Sequence, residues 1–228
     1  MGSVKRIVCL ANSRKLSGRC LAGKELSGGG WIRPVSAREH EEVSEDERQY
    51  EDGSDPRVLD IIDVPLLDAR PKGHQQENWL LDPAFYWVKV DRAGWSELQR
   101  LVDPAAPLWI DGHSTYSGLN DKVPLSLASG LTDSLRLVRV DRLKLSVFKT
   151  GALFGNPRRR VQGRFRHGGT EYWLWVTDPD YERAYKAKPD GDYEIGESFL
   201  TVSLAEPYGD DCYKLIAAII ERAEQTRA

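Results

Sequence analysis

Residues 158–178 read RRRVQGRFRHGGTEYWLWVTD, and this stretch decides the fold of the region around it. Two runs of alternating apolar and polar residues flank Gly168 and Gly169. The pattern predicts a β-hairpin with a two-residue turn, because both central turn positions need positive φ angles, which glycine adopts without strain. With the turn at the two glycines, His167 faces Thr170 and the register follows by counting outward.

This register divides the hairpin into two unlike faces, since directly opposed residues of a ladder share a face. The predicted core face carries Val161, Phe165, Tyr172, Leu174 and Val176. The opposite face carries Arg160, Gln162, Arg164, Arg166, Trp173 and Trp175. A slip of one residue exchanges the two faces.

The second face combines arginines with two tryptophans. These side chains stack on bases and neutralise phosphates. An alternative interpretation is that the Trp rings pack under a helix from elsewhere in the chain, with Arg stems covering them.

The composition is that of an ordinary globular protein, with 228 residues, 40% apolar and 29% charged. This length suffices for one large domain or two small ones. No stretch approaches the roughly 20 apolar residues of a membrane helix, and the N-terminus lacks the apolar run of a signal peptide. Three cysteines (Cys9, Cys20, Cys212) show no CxxC spacing. These features predict a cytoplasmic protein with reduced cysteines and no membrane partner.

Charge alternates along the chain in the same order twice. Residues 1–36 contain seven basic residues and one acidic residue. Residues 37–63 contain three basic and eleven acidic residues. In the second half, residues 136–166 contain ten basic residues and one acidic residue. Residues 167–211 contain three basic and eleven acidic residues. Each half also runs strand, strand, Trp-bearing strand, acidic connector, strand. We therefore expect two similar β-domains, with acidic connectors that lie away from the basic faces or gate them as internal competitors.

The predicted fold is mainly β with helices (α+β): two OB-like small β-barrels in tandem, a mixed middle segment and a C-terminal helix. A meander of three strands, a helical or irregular connector and further strands is the order of a five-stranded OB barrel. The predicted boundaries are 1–68 for the first β-domain, 69–134 for a connecting segment with a short helix and loops, and 135–228 for the second β-domain. The C-terminal helix is expected over 210–223, where apolar residues recur at helical spacing.

Three segments carry a family resemblance: VKRIVCLANSRKLSGRCLAGKEL (4–26), GGGWIRPVS (28–36) and RVLDIIDVPLL (57–67). They look like the dual OB-containing domain family of bacterial proteins, and the similarity spans most of the chain. The resemblance implies an association with prokaryotic conflict systems and a role in recognising nucleic acid. It implies that role for Asn12, Ser13, Arg14, Lys15, Trp31 and Arg33.

Catalytic signals are weak. Asp178 and Asp180 in TDPDYE are candidate metal-binding carboxylates of a nuclease, but Asp-Pro-Asp is more often a turn. The four histidines lie at no metal-ligand spacing, and no phosphate-binding glycine motif occurs. No catalytic residue, metal site or cofactor is predicted.

The sequence favours a module that binds nucleic acid, either DNA or RNA, in a single-stranded or otherwise unusual form. The expected setting is a defence system, with other defence proteins as further partners. Its predicted contacts in the second half are Arg160, Arg164, Arg166, Trp173 and Trp175. Two alternatives stay open. One is a protein-interaction module of a larger complex, since segregated charge also orients protein partners. The other is an enzyme acting on nucleic acid.

Overall fold

The computed structural model describes residues 2–28, 30–104, 107–150 and 158–222. The chain forms two compact units, one of Met1–Leu101 with Thr132–Ser134 and one of Val102–Leu131 with Leu135–Ala228. Within the described ranges, every helix is too short or too polar to cross a bilayer.

The first unit is built almost entirely from strands. Its elements are β1 (Ser3–Lys15), β2 (Gly18–Glu25), β3 (Trp31–Val35), α1 (Glu45–Arg48), β4 (Asp60–Ala69), β5 (Asn78–Leu81), β6 (Val88–Arg92) and α2 (Trp95–Leu101). Elements β5, β6 and α2 lie beyond residue 68, so this unit takes in much of the segment for which the sequence predicted only a connector.

Five of these strands close into a barrel in the order β1-β2-β3-β5-β4, with β4 returning to β1. The long strand β1 pairs with β4 through its first half and with β2 through its second. A register shift between Cys9 and Ala11 accompanies this change of partner, as bulges do where a strand bends. The single parallel pairing in the barrel joins β3 to β5.

The second unit has a longer list of elements. They are β7 (Lys122–Pro124), α3 (Leu125–Ala128), β8 (Leu135–Val140), β9 (Leu143–Thr150), β10 (Arg158–His167), β11 (Thr170–Val176), α4 (Pro179–Lys186), β12 (Gly191–Ile195), β13 (Ser198–Tyr208) and β14 (Asp211–Glu221).

The second unit repeats the strand order of the first. The path is β9-β10-β11-β14-β13-β8, and only Asp141 and Arg142 separate β8 from β9 along the chain. Taken together, β8 and β9 correspond to β1, and the parallel pair β11–β14 corresponds to β3–β5. Strand β12 is an addition that pairs with β9. The prediction of a mainly β chain with two OB-like units is therefore confirmed.

The predicted hairpin register is also confirmed. His167 pairs with Thr170, and the ladder continues to Gln162 opposite Trp175. Gly168 and Gly169 have φ angles of 55° and 84°, as the two-residue turn requires. All five residues of the predicted core face are buried, and the rings of Phe165 and Tyr172 stack with centroids 5.5 Å apart.

The prediction of a C-terminal helix is wrong, because residues 211–221 form strand β14. This strand lies between β11 and β13, and residues 216–220 are buried without interruption. An interior strand is apolar on both faces, and a short continuous apolar run cannot be assigned to helix or strand from periodicity.

Gly23 offers a test of how tightly β1 and β2 approach each other. A Cβ atom at this position would stand 2.2 Å from the carbonyl oxygen of Val8. That oxygen belongs to the backbone and cannot swing aside, so Gly23→Ala should lower the free energy of unfolding by about 1–3 kcal/mol. Gly28→Ala is the matched control, because nothing lies within 4 Å of its Cβ position. Urea denaturation that gave equal losses for the two variants would contradict the barrel geometry.

Candidate nucleic-acid interface

The confirmed register places the predicted basic residues and tryptophans of the second unit on one side of the sheet. We call Arg160, Arg164, Arg166, Trp173 and Trp175 the Arg–Trp face. Strand β9 extends this face, because Lys144 pairs opposite Arg164 and Phe148 opposite Arg160. Lys144, Arg164 and Trp173 therefore form one row across three strands.

Each tryptophan of the face is coupled to an arginine. The guanidinium carbon of Arg164 lies 4.4 Å from the ring centroid of Trp173, and that of Arg160 lies 5.2 Å from Trp175. Both distances are in the range of cation–π contacts. Both rings stay partly exposed, so each couple presents an aromatic surface next to a cation. The guanidinium groups of the two arginines lie over the rings.

Part of the face is covered by a loop of the same unit. The side-chain amide of Gln162 donates to the carbonyl oxygen of Ser117 at 2.6 Å, and Gln162 is fully buried. Leu119 and Trp173 exchange backbone hydrogen bonds of 3.0 and 3.3 Å. Gln162 is thus not accessible, although the register places it correctly. The open part of the face lies around Arg164 and Trp173.

An open groove of about 500 Å³ lies at this end of the face. Its lining includes Arg142, Lys144, Arg164, Arg166, Glu171, Trp173 and Glu194. Cations and carboxylates thus share the groove with one partly exposed tryptophan. Arg166 stands at its edge beside the hairpin turn, where its guanidinium donates to the carbonyl oxygen of Gly169 at 3.3 Å.

Strand β12 brings acidic side chains to the edge of the basic face. Asp192 accepts hydrogen bonds from Lys144 at 2.8 Å and from Ser146 at 2.6 Å. These contacts, with a smaller contribution from the charge of Arg164, hold the pKa of Asp192 below its usual range. Glu194 lies opposite Lys144 in the ladder. The acidic connector of the second half therefore partly neutralises the face and does not lie away from it.

The equivalent face of the first unit is closed. Arg33 is only 4% exposed, forms an ion pair with Glu77 at 3.1 Å and donates to the hydroxyl of Ser134 at 2.8 Å. Lys24 lies 5.3 Å from the ring centroid of Trp31 and is itself buried, because its ammonium donates to the carbonyl oxygen of Leu101 at the end of α2. Arg33 is therefore not available to a ligand, and Trp31 is half-buried.

The hairpin between β1 and β2 carries the other four residues implied by the resemblance. Asn12 donates to the carbonyl oxygen of Pro56 at 2.7 Å, and the buried Ser13 donates to that of Cys20 at 3.4 Å. Asn12 thus joins β1 to the segment before β4, and Ser13 joins β1 to β2. Arg14 is exposed and Lys15 half-exposed at the hairpin end. These two carry the charge that the hairpin presents at the surface.

Asp178 has a structural role. Its carboxylate caps α4 by accepting from the backbone N–H groups of Asp180 and Tyr181, and it also accepts from that of Ile219 at 3.1 Å. Nowhere in the described residues do three or more His, Cys, Asp or Glu side chains form a group that could hold a metal ion. Asp-Pro-Asp is thus the N-terminal cap and beginning of α4, where the sequence predicted a turn.

Sequence reasoning missed Lys144, Phe148 and Asp192. The alternation in LKLSVFKT (143–150) already indicates that Lys144 and Phe148 share the outer face. Their alignment with Arg164 and Arg160 depends on how β9 pairs with β10, which no two-glycine turn specifies. No local signal places β12 beside β9.

The comparisons with known proteins gave one match. The sequence model described as the dual OB-containing domain matches residues 5–219. Neither the curated proteins nor the solved structures contain a match.

The buried cap Asp178 should give stability a distinct dependence on pH. Burial raises its pKa to about 6, against the opposing effect of its backbone N–H donors. Because the folded carboxyl holds its proton more tightly than the unfolded one, this group's contribution to stability is full below about pH 4 and is lost as the pH rises towards 6. Asp178→Ser keeps an acceptor at the cap position. Urea unfolding from pH 4 to 7.5 measures the difference in free energy of unfolding between the wild type and this variant. The excess stability of the wild type should fall up to pH 6 and then stay constant. An advantage that is constant or rises across this range would contradict the assignment.

Proposed function

The chain belongs to the dual OB-containing domain family, and from this premise we propose that its second unit binds single-stranded nucleic acid on the Arg–Trp face. OB-fold domains commonly act as binding modules, and their ligands lie on strands two and three of the barrel. In the second unit these strands are β10 and β11, which carry the whole Arg–Trp face.

The couple formed by Arg164 and Trp173 is the observation that carries the proposal. A base stacked on Trp173 would bring its phosphate within reach of Arg164, Arg166 or Lys144, all of which line the same groove. Stacking on aromatic rings and charge neutralisation along the backbone are the two contributions that bind single strands without reading their sequence. The proposal therefore covers DNA and RNA alike.

The spacing of the two tryptophans favours a single strand over a duplex. Trp173 and Trp175 lie two residues apart on β11, which is about 7 Å along a strand. Bases stacked in a duplex repeat every 3.4 Å and leave no room for a ring between them. Only a strand whose bases can separate is able to place neighbouring bases on both rings.

The mixed charge of the groove supports a second candidate, a protein partner. Glu171 and Glu194 line it together with the cations, and Glu171 accepts a hydrogen bond from the indole N–H of Trp173 at 2.9 Å. A protein surface with both signs of charge would complement this arrangement. Under this candidate, oligonucleotides fail to bind the isolated chain.

The biological setting that we propose follows the family resemblance. We place the binding activity in a bacterial defence system in the cytoplasm, where other defence proteins would be its partners. The resemblance is the support for this setting.

Trp173→Ala should weaken binding of a labelled single-stranded oligonucleotide by roughly 5- to 150-fold, since base stacking on an aromatic side chain contributes about 1–3 kcal/mol. Arg164→Ala should lower the slope of log K against log salt by about 0.7, because one phosphate contact fewer releases fewer counterions. Fluorescence anisotropy at several salt concentrations measures both effects.

Matched controls come from the same chain. Trp31→Ala removes the tryptophan of the closed face, and Arg139→Ala removes an exposed arginine that pairs with Glu197 on another part of the second unit. Both should leave the affinity unchanged. If Trp31→Ala and Trp173→Ala weakened oligonucleotide binding equally, with both variants folded, the assignment of the interface would be wrong.

Asp192→Asn and Glu194→Gln should tighten oligonucleotide binding. Each change removes a carboxylate from beside Lys144, and a unit charge at 4 Å in water contributes about 1 kcal/mol, so roughly a fivefold gain is expected at low salt. The gain should shrink as salt rises, because exposed charges are screened. Asp180→Asn, an exposed acid on α4, is the control. Weaker binding by the two β12 variants would show that these acids contact the ligand and do not compete with it.

A further inference from the structure

The first unit contains a second candidate site, away from its closed β2–β3 face. A pocket of about 670 Å³ is formed by residues of the connector 50–60 and by residues 86–92, which include β6. We propose that this pocket binds a nucleobase, as a free nucleoside or as one base of a longer strand. The proposal does not depend on the Arg–Trp face, since the two sites share no residue.

The wall of the pocket carries a hydrogen-bond donor without an acceptor. Trp87 is 1% exposed, and its indole N–H has no partner among the described residues. One carboxylate oxygen of Asp55, Oδ1, is also buried without a donor. Buried Trp N–H groups nearly always find a partner, and both residues line the pocket, so a ligand that carries an acceptor and a donor would complement them. The edge of a base has this chemistry.

The rim of the pocket offers an exposed aromatic ring. Tyr86 is 55% exposed and lines the pocket, and Val88 beside it is 56% exposed. Large apolar side chains at this level of exposure leave a surface on which a planar ring can stack. Phe85 is similarly exposed but does not line the pocket.

The charges of the pocket nearly cancel. Four carboxylates line it: Glu51, Asp52, Asp55 and Asp60. Three cations do so as well: Arg57, Lys89 and Arg92.

The most buried of these groups are paired. The buried Asp60 forms ion pairs with Lys89 at 2.8 Å and with Arg92 at 3.5 Å, and it accepts a hydrogen bond from the hydroxyl of Tyr50 at 3.0 Å. Arg48, outside the lining, pairs with Asp55 at 2.9 Å. A pocket with so little net charge fits an uncharged ring better than a phosphate.

The experiment measures binding of nucleosides to the full chain by isothermal titration calorimetry or ligand-observed NMR. The Trp173→Ala variant is used as background, so that the Arg–Trp face does not contribute. Adenosine, guanosine, cytidine and uridine are compared with their 5′-monophosphates and with inorganic phosphate. We expect at least one nucleoside to bind as tightly as its monophosphate, without competition from phosphate.

Two adjacent aromatic residues give the matched variants. Tyr86→Ala should weaken nucleoside binding by roughly 5- to 150-fold, as the loss of a stacking ring does, and Phe85→Ala should leave it unchanged. Trp87→Phe keeps most of the ring and removes only the N–H, so roughly 2- to 12-fold weaker binding is expected. Thermal melting of each variant checks that the unit remains folded.

Several results would overturn the proposal. They are the absence of nucleoside binding to the background chain, equal effects of Tyr86→Ala and Phe85→Ala, and a site occupied only by ligands that carry phosphate. Failure of oligonucleotide binding at the Arg–Trp face is a separate outcome, because it is measured on the wild type and with variants of the other unit.

Discussion

Both units depend on a parallel pairing of strands that lie far apart in sequence, β3 with β5 and β11 with β14. The other pairings along the two barrel paths are antiparallel. The parallel pair joins the third strand to the last barrel strand and so removes the open edge that the meander would leave. In the second unit it also gives β14 neighbours on both sides, which explains why this strand is apolar along most of its length.

The interior position of β14 has a consequence for the Arg–Trp face. Strand β14 carries Lys214 into the core, where its fully buried ammonium forms an ion pair with Asp111 at 3.0 Å. Burial lowers the pKa of Lys214, and Asp111 counteracts this. Tyr172 donates to the same carboxylate and accepts from the N–H of Leu108. Loss of either Lys214 or Asp111 would leave the other charge uncompensated. This network therefore holds Asp111 in place, and Asp111 begins the segment that leads to Ser117 over the Arg–Trp face.

The corresponding faces on β2–β3 and on β10–β11 have different surroundings in the two units. On β3, Arg33 is enclosed by Glu77 and Ser134. On the hairpin of the second unit, Arg164 contacts the ring of Trp173 and the side chain of Gln162, and it borders an open groove. Similar residues on similar strands thus serve packing in one barrel and form a candidate ligand surface in the other. The difference comes from what covers the strand, not from the strand itself.

The sequence by itself determined the features that local backbone chemistry controls. Two consecutive glycines fix the turn, the turn fixes the register, and the two-residue period then sorts core from surface, so Phe165 and Trp173 were assigned to their faces correctly. Only the tertiary structure decided that residues 211–221 form a strand and that Arg33 is inaccessible. The apolar spacing from Cys212 to Ile220 suits a helix face and a buried strand equally, and its choice depends on β11 and β13. The partners that bury Arg33 lie 44 and 101 positions further along the chain, beyond the reach of any local pattern.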